Sequence, residues 1–350
     1  MKKILSIVAA LVILLTSCTP QSNQNQNDNK ENGTEGAKVT QNMSEEEKEE
    51  AWKKEPMYGK KVKLLFNGGL CTAAAPVATV KGFYEEEGVD VEIVSGTSAA
   101  DALGTGKAEF SSDHIATLLV PAANGVKMVF GKGLHSGCKT LFVKADSEYQ
   151  STEELKGKDI AIHDGIGGSD HNICLRFLNH DNIKPEEVNF KVIDTSASMQ
   201  ALENGEIQAT LLSDQFAIPF VKEGKIRPIR SITTDEDFKH EPCCVLALNS
   251  DFVEQNPVTS EKIINAVTKS SNWIEDNKEE FCQILLDNDW LSIDKEDAVN
   301  FAKTLNFKIG DDVTKNSLEE IINDYKKFEI LDNSIETEKT LEQVWNPVEQ

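Results

Sequence analysis

The chain has little positive charge. Of its 350 residues, 36 are Lys or Arg against 59 Asp or Glu, a formal net charge of −23. That imbalance excludes a nucleic-acid binder relying on a basic surface, because phosphate contacts supply most of such affinity. The longest apolar run, Ile4 to Leu15, is shorter than the roughly twenty residues a helix needs to span a bilayer. Catalytic signatures are missing too: there is no G-x-S-x-G elbow, no H-E-x-x-H, and no S-x-x-K with its partner motifs. Neither a P-loop ending nor a dinucleotide fingerprint occurs, which disfavours a nucleotide ligand. No internal repeat is evident. What remains is an ordinary globular composition, 39% hydrophobic and 7% aromatic, long enough for two domains.

The N-terminus carries an address. Lys2 and Lys3 precede the short apolar run, and the order reads as a secretory signal. It ends Leu15-Thr16-Ser17-Cys18, which resembles the bacterial lipobox, where cleavage precedes a cysteine that becomes acylated. This gives an expected signal peptide over 1–17, lipidation at Cys18 and lasting anchorage by acyl chains. From 18 to 57 the chain is Gln-, Asn- and Glu-rich, too polar to offset its ordering entropy, and reads as a disordered tether. Within it Ser44 to Lys54 has the makings of a short helix, with Ser44 as cap and acids in the first turn.

The body alternates strands and helices. Strand-like runs are KVKLLF, VDVEIV, AEFSSDH, VKMVFG, CKTLFVK, KDIAIH, VNFKVI, IQATLL, IRPIRSI and CCVLALN. Helical periodicity marks 169–180 and neighbourhoods of 199–204 and 216–223. After Phe252 it marks 259–275, 277–287, 293–304 and 315–328. The fold class is α/β, with two lobes, each a mostly parallel sheet flanked by helices, and a helical C-terminal portion. The expected boundaries are 58–150 for the first part of lobe 1 and 151–240 for an inserted lobe 2. Residues 241–350 then return to lobe 1 and add the C-terminal helices. Two chain crossings make a hinge. Trp273, Trp290 and Trp345 read as core.

In such sheets ligands sit beyond the carboxyl ends of the strands. The best local signal is His163-Asp164-Gly165-Ile166-Gly167-Gly168-Ser169-Asp170-His171, where a strand ends and a serine opens a helix whose free N–H groups suit an anion. Similar strand ends are Asn67-Gly68-Gly69-Leu70-Cys71, Ser111-Ser112-Asp113-His114 and Ser213-Asp214-Gln215. Three to five hydrogen bonds to a charged group, at about 1.5–3 kcal/mol each, support micromolar binding. The thiols stand close to histidines: His135-x-x-Cys138, His171-x-x-Cys174, and Cys243-Cys244 after His240. Metal binding, a disulfide from Cys138 to Cys243 or Cys244, and passive thiols all remain open. The expectation carried forward is no catalytic residue, no cofactor and no metal.

Four stretches resemble one family. "PVATVKGFYEEEGVDVEIV", "GTGKAEFSSDHIATLL", "NGVKMVFGKGLHSGCKTLFVKADSEYQSTEELKGKDIAI" and "ALENGEIQATLLSDQFAI" are similar to the extracytoplasmic binding proteins of ABC importers, of the nitrate, sulfonate, taurine and bicarbonate class. The resemblance implies a type-2 periplasmic-binding-protein fold and a ligand held between lobes. Its contacts would be Gly69, Cys71, Ser112, Asp113, His135 and Cys138 from lobe 1, and Gly167, Gly168, Ser169 and Asp214 from lobe 2. Asp113, Asp170 and Asp214 would suit a zwitterion, with His163 and His171 supplying positive charge. It also implies capture by hinge closure at the outer face of the cell membrane and delivery to a permease and its ATPase by a monomer. The same fold serves thiamine-pyrimidine synthases, whose cysteine-rich, iron-holding motif Cys243-Cys244 thinly echoes. A binder of the thiamine pyrimidine itself is the other alternative.

Overall fold

The computed structural model of the chain describes Thr40 and residues 43–347. The signal segment 1–17, Cys18 and the tether up to residue 39 lie outside the described residues. No described helix is long and apolar enough to cross a membrane.

Among the described residues ten strands form: β1 (Lys61–Leu65), β2 (Asp90–Val94), β3 (Phe110–His114), β4 (Val129–Ser136), β5 (Lys139–Lys144), β6 (Asp159–Ile162), β7 (Asn189–Val192), β8 (Ala209–Ser213), β9 (Ile226–Ser231) and β10 (Pro242–Leu248). Each overlaps one of the ten expected runs, although β4 continues past VKMVFG to Ser136, β8 ends one residue later at Ser213 and β10 starts one residue earlier at Pro242. They assemble into two five-stranded sheets, ordered β2-β1-β3-β10-β4 and β7-β6-β8-β5-β9.

In each sheet four strands run one way and one runs against them. β10 is antiparallel to both β3 and β4, and β5 is antiparallel to both β8 and β9. The reversed strands are the ones that arrive from the other lobe. A chain that crosses at the carboxyl ends of the strands has to enter the next sheet from that end, so it pairs head to tail. This moves the first lobe boundary. β5 was expected in lobe 1 but pairs only within the second sheet, so the crossing falls at Gly137 and Cys138 rather than near residue 150. The second crossing falls just before Pro242, where β10 begins.

Both faces of the first sheet are covered, which is why β10 is buried at every position. Alternate residues Leu246 and Leu248 pack with Val62, Leu64, Ile263 and Val267. Their neighbours Val245 and Ala247 pack on the opposite face with Phe130, Leu118, Leu318 and Ile322. Each such large aliphatic contributes about 1.5–3 kcal/mol by burial. Trp345 is buried against this sheet, while Trp273 and Trp290 pack on the core only in part.

Two elements differ from expectation. The helix Ile115–Ala123 follows β3 directly and carries Pro121 near its end, where the lost N–H costs only one hydrogen bond. The helix Glu45–Trp52 forms as expected, with a Ser44–Glu47 capping box, but it is not part of a free tether. Trp52 Nε1 donates to Thr259 Oγ1 at 3.1 Å, and Glu55 accepts from the Val258 and Thr259 backbones at 2.6 and 2.9 Å. Lys48 pairs with Glu261, and Lys262 lies over the Trp52 ring. The segment 43–57 is therefore a strap on the helix Pro257–Asp276, and the folded body includes it.

Candidate functional site

The first crossing is built around an unusual backbone. Gly137 has φ +86° and Cys138 φ +118°, a region that costs a side-chain-bearing residue free energy and persists only when its surroundings hold it. Here they do. Cys138 N–H donates to Thr233 Oγ1 at 2.8 Å, and its carbonyl accepts from Asp214 N–H at 2.9 Å. The second crossing leads through Pro242 into Cys243 and Cys244. Because β10 lies between β3 and β4, Cys244 is the register partner of both His114 and His135. Cys138 Sγ stands 2.6 Å from Cys243 Sγ. One donor atom each from His114, Cys138, Cys243 and Cys244 fits within 4.8 Å of all the others. Cys71, from the loop after β1, comes beside Cys138 and His135.

This cluster shares charge unevenly. Burial opposes ionisation of Cys243, yet hydrogen bonds from the Cys138 and Cys244 thiols hold it below the ordinary thiol range. Burial and the neighbouring sulfurs push Cys244 well up. The Cys138 thiol, then burial, does the same to Cys71. The His114 ring is pushed up to about 10, because the Cys138 thiol and the Asp113 carboxylate outweigh its burial. One shared thiolate is favoured and further ones are resisted.

On the lobe 2 side the glycine-rich loop is closed by its own side chains. Asp164 accepts from Ser169 Oγ at 2.6 Å and from Asp170 N–H at 3.2 Å, so it occupies the helix start where an anion was expected. A Cβ on Gly168 would lie 2.5 Å from Asp164 Cγ, so glycine is needed for that approach. The helix begins at Ser169, with Gly168 rather than Ser169 as its cap. Behind it Lys139 Nζ, the first residue of β5, donates to Ser169 Oγ at 2.8 Å and is paired with Asp170. His163 completes this set through Nδ1 on Asp170. Burial opposes the Asp170 charge, but His163 and Lys139 hold its carboxyl down at about 2.

The expected contact residues thus divide. Cys71, His135 and Cys138 come together, joined by His114, Cys243 and Cys244. Ser112 is on the same strand as His114, two residues away, and its buried Oγ has no hydrogen-bond partner. Asp113 accepts from His114 Nδ1 at 3.1 Å. Gly69, at φ +101°, donates its N–H to the Trp290 carbonyl at 2.8 Å. Gly167 N–H donates to His171 Nδ1 at 3.2 Å. Asp214 accepts from the Thr233 hydroxyl, and burial raises its carboxyl. It also borders an open groove of about 350 Å³ lined by Phe142, Ile218, Val221 and Phe301. The sequence missed Lys139, since a lysine opening a strand looks like a surface residue. It gave His114 no role of its own.

The lobes touch across the site. Leu70 N–H donates to Gln215 Oε1 at 3.3 Å, and Asn172 Nδ2 to the Ala116 carbonyl at 3.0 Å. Arg176 of lobe 2 is buried with Glu241 and Asp324, at 3.0 Å from Nε to the Asp324 carboxylate.

The family model described as NMT1/THI5 like matches residues 72–281. The nitrate/nitrite binding protein NrtA of Synechocystis sp. is 26% identical over 262 residues, covering 66% of this chain and 58% of that protein. The 4-amino-5-hydroxymethyl-2-methylpyrimidine phosphate synthase THI11 of Saccharomyces cerevisiae is 21% identical over 222 residues, 57% of this chain and 62% of that one. The chain thus matches about three fifths of the length of these curated relatives. Among solved structures, the periplasmic aliphatic sulphonate binding protein SsuA from Escherichia coli superposes with a TM-score of 0.65 at 13% identity. That alignment covers 82% of this chain and 92% of the other, and it establishes a periplasmic-binding-protein fold.

Proposed function

Because the chain belongs to the NMT1/THI5-like family, we propose that it is the substrate-binding component of an ABC importer. It takes up a small anion or zwitterion of the nitrate, sulfonate or taurine kind and makes or breaks no bond. The observation that carries this reading is the meeting of strand-end loops from both lobes at the two crossings, with Leu70 and Gln215 hydrogen-bonded across the gap. A cleft assembled from two bodies joined by two crossings closes on a ligand by hinge motion, and the closed form is what a permease recognises. Asp113 and Asp214 favour a ligand that carries an amine beside its anionic group. The relatives named above support the class: one is a nitrate/nitrite binder and one structural neighbour binds sulphonates. Acylation at Cys18, attachment to the outer face of the cell membrane, a permease with its ATPase as partners, and a monomeric state belong to the same proposal.

A second reading has one observation in its favour. The thiol and imidazole cluster lies beside the cleft, and a relative is a pyrimidine phosphate synthase. A thiamine pyrimidine therefore belongs in the test. The protein, stripped of ligand by partial unfolding and refolding under reducing conditions, is screened by thermal shift against nitrate, bicarbonate, taurine, alkanesulfonates and thiamine pyrimidines. Ligand at a hundred times its Kd adds about 2.7 kcal/mol of stability. A saturable shift with one anion or zwitterion supports the importer reading. A shift with the pyrimidine alone transfers the assignment to the second.

A further inference from the structure

We propose that the groove between the helices Asp214–Lys222 and Lys295–Thr304 binds a small apolar amine, its ammonium against Asp214 and its hydrocarbon along the groove. The inference goes beyond the importer reading and does not depend on which ligand is carried. Of the residues expected to contact the carried ligand, only Asp214 borders this groove.

Four observations carry it. The first is size and lining. The groove holds about 350 Å³, within the roughly 300–1,000 Å³ that small-molecule sites occupy. Its apolar walls are Phe142 of β5, Pro228 of β9, Ile218 and Val221 of the helix Asp214–Lys222, and Phe301 of the helix Lys295–Thr304. A molecule lying there touches lobe 2 and the C-terminal portion together. The second is a helix with little core of its own. The segment DQFAIPFVK is mostly apolar, yet only its Ala217 is buried, and Val221 is 42% exposed. A hydrocarbon laid along this face removes from water a surface that the protein itself leaves wet.

The third is a carboxylate without a cation. Among the described residues the buried carboxylates are Asp170, Glu261 and Asp324, and each is paired with a lysine or an arginine. Asp214, partly buried, has hydroxyls instead: Thr233 donates to it, and Thr140 is hydrogen-bonded to it. Lys139, whose charge reaches it, is held by Asp170. Burial raises the Asp214 carboxyl, and an ammonium beside it offsets that penalty. The fourth is the match of donors to acceptors. An ammonium has three N–H donors and no acceptor. Beside Asp214 the groove offers the hydroxyl oxygens of Thr140, Ser231 and Thr233, the first two already 2.7 Å apart. The one lysine on the groove, Lys222, lies at the far end of the helix and is paired with Asp297, so an anion finds no free cation there. A net charge of −23 draws cations to the protein at long range.

The test uses the full chain, titrated calorimetrically with the series from butylamine to octylamine. One site per chain is expected, with a Kd that falls about fourfold for each added methylene. Hexanol and hexanoate bind at least tenfold more weakly than hexylamine. Val221→Trp, which fills the lip of the groove, weakens hexylamine at least tenfold, and Asp214→Asn brings amine and alcohol to equal affinity. Val192→Trp, at an exposed position elsewhere on lobe 2, leaves binding unchanged. Circular dichroism establishes that each variant is folded. If the groove variants fail to fold, the wild type decides: an alkylamine carrying a photoreactive diazirine labels the helices Asp214–Lys222 and Lys295–Thr304, located by mass spectrometry. Binding that never saturates, equal affinity of the wild type for amine and alcohol, or labelling confined to other elements overturns the proposal. So does a dimer in sedimentation that Val221→Trp disperses, which gives the groove to a second copy of the chain. Failure of the anion screen leaves this result untouched, and the reverse also holds.

Discussion

Cys138 and Cys243 are 105 residues apart in the chain, and their sulfurs stand 2.6 Å from each other. One belongs to the outward crossing and the other to the return, so the pair marks where the two crossings touch. Cys243 titrates below the ordinary thiol range because its neighbours donate to it, while Cys244 and Cys71 titrate well above. Ultraviolet titration of the reduced, metal-free protein should therefore release one thiolate well before the rest. Cys243→Ser should abolish that first step. A single step near the free-cysteine value would contradict the account of a shared charge.

Lys139 and Asp170 form a buried ion pair, and breaking one partner of such a pair costs about 3–5 kcal/mol. Lys139→Met should lower stability by an amount near the lower end of that range, since His163 still holds Asp170. Lys139→Met with Asp170→Asn should recover part of it. The pH dependence follows from the lowered carboxyl. Its folded value, about 2, is below the ordinary 3.8, so its contribution is full above pH 4 and is lost as pH falls towards 2. Urea denaturation of wild type and Asp170→Asn should give a constant gap from pH 5 to 8 that narrows only in strong acid.

Arg176 joins lobe 2 to Glu241 at the return crossing and to Asp324 in the helix Asp311–Lys327. Removing its charge leaves two carboxylates facing each other in a buried place. Arg176→Met should cost about 3–5 kcal/mol. It should also loosen the tie between lobes, seen as a larger radius of gyration by small-angle scattering. An unchanged radius would confine the role of Arg176 to stability.

The strap gives a prediction about chain length. A protein beginning at residue 58 loses the half-buried Trp52 and the hydrogen bonds of Glu55. It should be less stable by about 2–3 kcal/mol than one beginning at residue 40. Trp52→Ala in the full chain should reproduce much of that loss by calorimetry.

Most of the ten described strands were legible because they are short apolar runs bounded by turn residues, as a sheet covered on both faces demands, although β3 (FSSDH) and β9 (IRPIRS) carry polar residues as well. Pro121 hid the helix Ile115–Ala123, since proline reads as a breaker even where a helix is about to end. The first lobe boundary was misplaced because CKTLFVK looks the same in either sheet. Only pairing reveals that β5 belongs with β8 and β9. The strap was hidden for a related reason: SEEEKEEAWKK is polar apart from Ala51 and Trp52, and what holds it is a surface of the distant helix Pro257–Asp276. Of the site, the strand-end loops were readable as loops. The gathering of Cys71, His114, Cys138 and Cys243-Cys244 was not, because nothing in their spacing fixes a register that β10 alone creates. Lys139 was invisible, since its partner Asp170 lies on another element.

The most direct test of the central claim is calorimetric titration of the stripped, reduced protein with the anion or zwitterion that the thermal screen selects. Saturable one-to-one binding with a Kd of about 1 μM or tighter, near −8 kcal/mol, is the expected result. Asp214→Ala should weaken that binding at least tenfold. Heat that never saturates across the whole panel, with a stability unchanged by every ligand, would contradict it.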